Sequence, residues 1–534
     1  MRLRQLGVPT LSCLSALLLG CTDDISGSDT TTTNGDDVAE SDTTGDTGAE
    51  QDIPARGDIA LTTVVVNQGV DVPIAIDGVW VGPEDRNTYL VGNRDSLVRA
   101  YWTIPEDWVA REIKATLDVE YPDGTKKTLT DVKMVDDDAF AGDLDRGFYW
   151  SLIGDAFDPG LKFQIKLWEA GPGFEDQRES TSILVSPIAG MQLIGVQPEP
   201  MQLKVQFVPT KYDAGACHTD TSTITEEEVQ NFVDYLHEQN PVQEVLFDFR
   251  TDAKILWGEQ LNSLAELWQP LLDLRVTDNA PPNMYYYALV DVCGPGIGDA
   301  AGIAPGTPPP TKDAASSRVC SGVWLGGDKY SYHTFVHEIG HTQGRPHTFC
   351  EGGGAAGTDP AYPHDNGIIG VWGFGIRFFK LYNPTGTYDY MSYCLPGWVS
   401  DWTWSKTYVQ GRELTSWDFE GPAQPGAGEP GQGELLYGLL MPNGTERWYT
   451  APGAREADYF GGEQTVAFDY GEGEVQIPAA VELLDDRSLM VVAPVPKPGQ
   501  PIVDLRRITS EGDTRTIDLA RMNSRKAYSI EYAN

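Results

Sequence analysis

The sequence predicts a multidomain α+β protein in which a central α/β domain is flanked by two β-sandwich domains. Three observations support this fold class. The chain has 534 residues, which exceeds what one hydrophobic core usually organises. Segments on both sides of the centre contain short runs of alternating apolar and polar residues separated by turn residues, a pattern typical of sandwiches. In the centre, strand-like and helix-like segments follow one another, as they do in α/β domains.

Residues 1–20 are predicted to be a lipoprotein signal peptide. Arg2 and Arg4 give a positive start, and the apolar run that follows is too short to cross a bilayer. The run ends in Leu-Leu-Leu-Gly-Cys, which resembles a bacterial lipobox and predicts lipidation of Cys21. The chain is therefore expected to be exported and held at the cell surface or outer membrane of a bacterium. The alternative is an ordinary cleaved signal, which would make the protein secreted.

Residues 21–57 are predicted to be a disordered acidic tether. Positions 22–55 contain ten Asp or Glu and no Lys or Arg, and such a segment buries too little apolar surface to offset its ordering entropy. The whole chain carries a formal net charge of -41. This charge argues against nucleic acid as a partner, because its recognition needs basic patches. Contact with a membrane is expected only through the N-terminal lipid anchor.

Three folded domains are predicted after the tether. Residues 58–197 are expected to form an accessory β-sandwich, since strand-like runs alternate there with turn signals such as Pro-Asp-Gly at 122–124. Residues 198–415 are expected to form the central α/β domain. Residues 416–534 are rich in Gly, Pro and Val with short alternating runs, and a second β-sandwich is the expected outcome.

The segment from His337 to His347 satisfies the pattern His-Glu-x-x-His-x-x-Gly-x-x-His at every fixed position. His337 and His341 lie one helical turn apart, so both can present an imidazole nitrogen to one ion. Gly344 can adopt the left-handed conformation that ends a helix, and the resulting turn brings His347 round as the third ligand. Three nitrogens leave a fourth position for water, which is the catalytic arrangement of Zn²⁺. Glu338 lies next to the metal without needing to bind it.

Two other histidines are expected to lie outside the ligand set. His333 precedes His337 by four residues, but it is followed by Thr334 where the pattern needs Glu. We expect it at the rim of the cleft. His364 is expected to belong to a surface turn.

The long motif and the later segment Tyr-Asp-Tyr-Met-Ser-Tyr-Cys at 388–394 resemble the metzincin zinc metallopeptidases, over roughly residues 200–410. The resemblance implies a metzincin-like catalytic domain with one catalytic Zn²⁺ and a Met-turn in which Met391 lies beneath the imidazoles. It also implies that Tyr393 approaches the zinc and stabilises the oxyanion, with a packed core tyrosine as the alternative. Within the group, the chain resembles bacterial gametolysin- or mucin-protease-like enzymes and pappalysins. A strand near 318–325 is then expected to pair with extended substrate.

Five cysteines in the central region fit an oxidising compartment. Cys350 follows the third His closely and Cys394 follows the Met-turn, so a bridge between them is the best candidate disulfide. Cys293 and Cys320 flank a Gly/Pro-rich loop and form the second candidate, which leaves Cys217 over. Other pairings stay open.

The sequence therefore predicts a zinc metalloendopeptidase that hydrolyses peptide bonds of extracellular proteins with zinc-activated water and Glu338 as general base. The alternative is a surface adhesin or binding protein with a residual, inactive metalloprotease core. The expected partner is a protein or peptide, and a glycoprotein substrate is a family-level expectation. A structural Ca²⁺ is compatible with the many acidic residues, but no calcium-loop motif supports it.

Overall fold

The computed structural model describes residues 52–298, 300–420, 433–462, 464–522 and 527–532. The predicted signal peptide, the lipidation site Cys21 and the tether as far as residue 51 lie outside these described residues. No helix within the described ranges has both the length and the apolar character needed to cross a membrane.

Two antiparallel sheets build the first part of the described chain. Their strands are β1 (Ala60–Asn67), β2 (Asp71–Ile76), β3 (Val79–Trp80), β4 (Ser96–Thr103), β5 (Arg111–Glu120), β6 (Lys126–Val135), β7 (Phe148–Leu152), β8 (Lys162–Glu169), β9 (Val185–Ser186) and β10 (Gln192–Leu193). The strand order is β3-β2-β1-β4-β7 in one sheet and β10-β8-β5-β6, with β9 on β8, in the other. Alternate residues such as Val64 in β1 and Leu117 in β5 are buried in one shared core.

Residues 52–57, the last part of the predicted tether, are ordered, so the tether prediction was wrong for them. The Ala55 amide donates to the Leu167 carbonyl at 3.2 Å, and the Glu169 amide donates to the Ile53 carbonyl at 2.9 Å. Ala55 is buried in the core between the sheets. Ile53 and Ala55 supply the apolar alternation that lets this segment extend along β8.

The middle of the chain forms a mixed sheet, two small strand pairs and four helices. The strands are β11 (Gln202–Ala214), β12 (Cys217–Asp220), β13 (Glu244–Phe249), β14 (Ala253–Trp257), β15 (Met284–Val290), β16 (Gly302–Ile303), β17 (Val319–Val323), β18 (Gly373–Gly375), β19 (Lys380–Tyr382), β20 (Tyr388–Asp389) and β21 (Gly397–Trp398). The helices are α1 (Glu226–Glu238), α2 (Trp268–Thr277), α3 (Lys329–Thr342) and α4 (Asp401–Ser416).

The last part of the chain adds a seven-stranded antiparallel sheet and returns one strand to the middle. Its strands are β22 (Glu434–Leu440), β23 (Glu446–Pro452), β24 (Gln464–Asp469), β25 (Glu474–Leu483), β26 (Leu489–Pro494), β27 (Asp504–Ile508), β28 (Thr514–Thr516) and β29 (Tyr528–Tyr532). The seven-stranded sheet has the order β23-β22-β26-β25-β24-β27-β28, whereas β29 pairs with β14.

The middle sheet has eight strands in the described residues, and apolar cores cover both of its faces. Its order is β16-β17-β15-β11-β14-β29, with β12 and β13 also paired to β11. Strand β15 is buried along its whole length. Tyr285 and Tyr287 face the core shared with the first two sheets, whereas Tyr286 and Ala288 face the core shared with the seven-stranded sheet. The middle sheet therefore joins all parts of the fold.

The predicted fold class was wrong. Strands account for 37% of the chain and helices for only 17%, so the protein is mostly β and does not contain a central layered α/β domain between two sandwiches. Only four α-helices occur in the described ranges. Helices α1, α2 and α3 do alternate with strands of the middle sheet, but residues 343–400 contain no α-helix and form loops and two short strand pairs. Sheets from both ends of the chain pack on the middle sheet.

Candidate metal centre

Helix α3 carries the first two histidines of the motif and is fixed at its start and along its inner face. The Asp328 carboxylate accepts a hydrogen bond from the Tyr330 amide at 2.8 Å and caps the helix. Phe335 packs edge-on against Phe207 and Tyr287 at ring-centroid distances of 5.1 and 4.9 Å. This packing holds the helix on the sheet and leaves the motif histidines on the face towards the cleft.

The three histidines of the motif converge on one point. The Nε2 atom of His341 lies 3.1 Å from that of His337 and 3.1 Å from that of His347. All three residues are buried, with 6–8% of their surface exposed. Burial and the neighbouring His347 together lower the pKa of His337 to about 4. Burial also lowers the pKa of His341 well below its usual value. The His337 and His341 imidazoles are therefore neutral near pH 7.

Each imidazole is oriented by a backbone carbonyl on its other nitrogen. The Nδ1 atom lies 2.7 Å from the carbonyl oxygen of Tyr390 for His337, of Arg345 for His341 and of Ala356 for His347. A carbonyl only accepts hydrogen bonds, so each Nδ1 carries a proton and each Nε2 is turned towards the shared point. The lone pairs of the neutral His337 and His341 imidazoles then face each other, an arrangement that repels unless a cation or a proton lies between them.

This donor set fits Zn²⁺. Two Zn–N bonds of about 2.05 Å at a tetrahedral angle separate the nitrogens by about 3.3 Å, which is close to the observed 3.1 Å. Neutral imidazole is a preferred ligand of zinc, and a hydrogen bond from the second ring nitrogen to a carbonyl is typical of metal-binding histidines. The three histidines predicted from the sequence are therefore the residues that would hold the ion.

The third histidine reaches the centre through the turn predicted at Gly344. This glycine has a φ of 75°, and its amide donates to the His341 carbonyl at 2.8 Å. A Cβ there would lie 2.8 Å from Gln410 Oε1, so both conformation and space favour glycine. After the turn, the His347 carbonyl accepts a hydrogen bond from the Asp359 amide at 2.7 Å, which fixes the backbone at His347.

Met391, which the resemblance places in a Met-turn, lies directly against helix α3. It is fully buried, and a Cβ built on Gly340 would lie 2.4 Å from its sulfur. The Met391 carbonyl accepts from the Thr348 amide at 3.0 Å, and its amide donates to the Asp389 carboxylate at 2.9 Å. The first bond ties the segment beneath the helix to the residues that follow His347.

Glu338 is the buried carboxylate of the site. It has 2% of its surface exposed, and its Oε2 has no hydrogen-bond partner among the described residues. Burial raises its pKa well above the ordinary value of 4.5, and the negative charge of Asp485 raises it further. A Cβ on Gly302 of β16 would lie 2.6 Å from Glu338 Oε1. The carboxylate is thus enclosed between α3 and the edge of the middle sheet.

Tyr393 and His333 line the same cleft as Glu338. The cleft has a volume of about 660 Å³. The Tyr393 ring centroid lies 4.9 Å from that of His347, and 41% of the residue is exposed, so it is not a packed core tyrosine. His333 lines the cleft, and its ring nitrogens are not among those that converge with the three motif histidines. His364 lies elsewhere and contacts Asp401 at 2.7 Å.

The sequence analysis missed Asp485 at this site. It lies in the turn between β25 and β26, and its Oδ1 is 3.6 Å from His347 Nε2. The ligand atoms of the three histidines and of Asp485 all lie within 4.8 Å of one another. An acidic pair in a hairpin turn is an ordinary turn signal. Only the packing of the C-terminal sheet on the middle sheet brings this carboxylate to the histidines.

Two disulfides are present in the described residues, and one agrees with the sequence analysis. Cys350 and Cys394 are bridged and connect the segment after the third histidine with the segment after the Met-turn. The candidate pair Cys293 and Cys320 was wrong, because Cys293 is bridged to Cys217 and Cys320 is a buried free thiol. The two disulfides are compatible with an extracellular protein.

Strand geometry explains the wrong cysteine pair. Cys320 lies inside β17 opposite Tyr287 of the parallel strand β15. Cys293 lies six residues beyond Tyr287, and the three strand residues 288–290 alone extend about 10 Å at 3.3 Å per residue, whereas a disulfide needs Cα atoms within about 7 Å.

The strand expected to pair with substrate is also not at a free edge. Strand β17 pairs with β15 on one side, and on the other side β16 covers it with the pairs Gly302–Gly322 and Ile303–Ser321. The edge next to the cleft is therefore the two-residue strand β16, which contacts Glu338. The Gly/Pro-rich loop that precedes β17 gave no periodic signal for this short strand.

No protein-family model matches the chain, and no curated protein matches it.

Proposed function

We propose that the protein is a zinc-dependent metalloendopeptidase of the metzincin type that hydrolyses peptide bonds of extracellular proteins. The observation that carries the proposal is the convergence of three imidazoles, each oriented by a backbone carbonyl, beside a buried carboxylate that lines a cleft. An adhesin or binding protein with an inactive metalloprotease core would not need three converging histidines, a carbonyl partner for each of them and a buried carboxylate beside them.

His337, His341 and His347 would hold the ion through their Nε2 atoms, and their tautomers are set before it binds. When bound, zinc supplies a Lewis acid that polarises a carbonyl and lowers the pKa of water to about 7. Glu338 takes the proton of the attacking water and passes it to the leaving amine. Its enclosed position favours this role, because no neighbouring donor occupies Oε2.

The cleft offers further groups to a peptide. The Tyr393 hydroxyl would donate to the oxyanion that forms during attack. The edge strand β16 would pair with an extended substrate backbone, because it presents main-chain groups beside Glu338. These two elements position the scissile carbonyl between the base and the histidines.

A cleavage assay on the full chain tests the proposed function. Because Asp485 lies beside the histidines, zinc-loaded wild-type and Asp485→Ala proteins are both incubated with a denatured protein substrate. We expect at least one of them to cut it, and we expect Glu338→Gln in the same background to lower the rate by about 10²–10⁴-fold. Absence of cleavage by both zinc-loaded proteins, or equal rates with and without Glu338, would contradict the proposal.

We further propose that the protein acts outside the cytoplasm, anchored by a lipid on Cys21. The support is the lipobox-like sequence together with the two disulfides, which form in oxidising compartments. Mass spectrometry of the N-terminal peptide from the expressing bacterium is expected to find an acylated Cys21. An unmodified mature N-terminus elsewhere in the chain would instead show a secreted form.

A further inference from the structure

The turn between β25 and β26, residues 484–488, carries a carboxylate from the C-terminal sheet into the cleft of the candidate metal centre. Asp485 Oδ1 lies 3.6 Å from His347 Nε2, and the Asp485 side chain is 20% exposed. Among the described residues, it is the only group that joins the three histidines as a fourth ligand candidate. The hydroxyl-bearing ring of Tyr393 lines the same space.

Hydrogen bonds hold the turn in a defined shape, and this shape sets the position of Asp485 in the cleft. The Leu484 amide donates to the Ser488 carbonyl at 2.8 Å, and the Arg487 amide donates to the Leu484 carbonyl at 2.9 Å. The Ser488 amide donates to the Asp486 carboxylate at 2.9 Å. Asp486 is thereby used inside the turn, whereas Asp485 projects from its tip towards the histidines.

The same turn rests on the part of the middle sheet that a substrate would need. Leu484 is buried in one core with Ala300 and Ala301, which directly precede β16. A Cβ on Gly298 would lie 3.2 Å from the Asp486 carbonyl oxygen, so the two backbones are in close contact. Leu483 lines the cleft together with Glu338. The turn therefore covers both the metal centre and the edge strand.

We propose that Asp485 is a fourth protein ligand that closes the metal centre, and that the β25–β26 turn must leave the cleft before a peptide enters. This inference rests on the proposed function. Three histidines and one carboxylate oxygen complete the four-ligand tetrahedral set of a closed zinc site, whereas a hydrolytic site keeps one position for water. The carboxylate and the attacking water compete for one position, so the chain as it is folded here is the closed form.

Binding of a small anion to the cobalt(II)-loaded full chain tests this inference without any catalytic readout. Azide is titrated while the visible spectrum of cobalt, which depends on its ligands and geometry, is recorded. In wild type the anion has to displace Asp485, so its apparent Kd is the intrinsic Kd divided by the fraction of sites that are open. We expect Asp485→Ala to bind azide at least about tenfold more tightly than wild type.

Asp513→Ala is the matched control, because Asp513 is an exposed aspartate in another turn of the same sheet. It is expected to bind azide as wild type does. If thermal unfolding shows that Asp485→Ala is not folded, Asp485→Asn, which keeps the side-chain volume, is used in its place. Equal azide affinities in wild type and the Asp485 variant would overturn the closed-site inference and leave the metalloendopeptidase proposal standing. Failure of wild type to take up cobalt or zinc would instead remove the proposed function.

Discussion

The Glu338→Gln protein, freed of metal, is expected to be more stable than wild type at pH 8, and this advantage should grow as the pH rises from 5. Glu338 is buried with Oε2 unpartnered, and its folded-state pKa is raised well above 4.5. Above pH 4.5 the unfolded chain releases this proton while the folded chain keeps it, so wild-type stability falls with rising pH. Each pH unit in this range lowers the free energy of unfolding of wild type by about 1.4 kcal/mol. The Glu338→Gln protein does not lose this stability, because glutamine does not titrate.

Thermal unfolding in chelator at pH 5, 6, 7 and 8 measures this effect as a difference between variant and wild type. Glu351→Gln makes the same change at an exposed position near the site and should leave the difference close to zero at every pH. The explanation fails if the Glu338→Gln advantage is the same at pH 5 and pH 8, or if wild type is the more stable protein at pH 8. The Glu338 carboxylate would then be in contact with water or with a cationic group in the metal-free site.

Zinc is expected to raise the stability of wild type strongly and that of His341→Ala much less. A ligand at 1,000 times its Kd stabilises the folded state by about 4 kcal/mol. His341 is the central residue of the three histidines, since its Nε2 lies 3.1 Å from the Nε2 atoms of both others. Apparent zinc-binding energies of about 10–16 kcal/mol shared among four ligands assign about 3 kcal/mol to each. The loss of one imidazole should therefore weaken zinc binding by at least about 100-fold.

The measurement is the melting temperature of metal-free protein at increasing zinc concentrations. His218→Ala is the control, because His218 is an exposed histidine that contacts only Asp213 among its described hydrogen-bond partners. It should show the same zinc-induced rise as wild type. A rise of equal size in His341→Ala and wild type would place the zinc elsewhere on the chain.

The local chemistry of the site could be predicted from the sequence because it depends on short spacings. Four residues make one helical turn, so His337 and His341 had to share a face of any helix that formed. Gly344 and His347 follow His341 by three and six residues. The link to Met391 came from the resemblance to metzincins, and its contact with Gly340 is a packing feature that spacing alone does not give.

The fold class and the position of Asp485 could not be predicted because they depend on contacts between distant segments. The two-residue strand β16 exists only because β17 offers it an edge, and β29 finds its partner β14 far back in the chain. Asp485 reaches the histidines only through the stacking of two sheets on a common core. Local periodicity contains none of this information, so it could not show that the protein is mostly β.

The position of zinc in crystals of the zinc-loaded full chain is the most direct test of the central claim. Anomalous scattering at the zinc edge is expected to show one dominant peak, about 2.0–2.1 Å from the Nε2 atoms of His337, His341 and His347. Glu338 should face the same peak without binding it. A zinc-loaded crystal with no peak among the three imidazoles, or with their Nε2 atoms directed apart, would contradict the account.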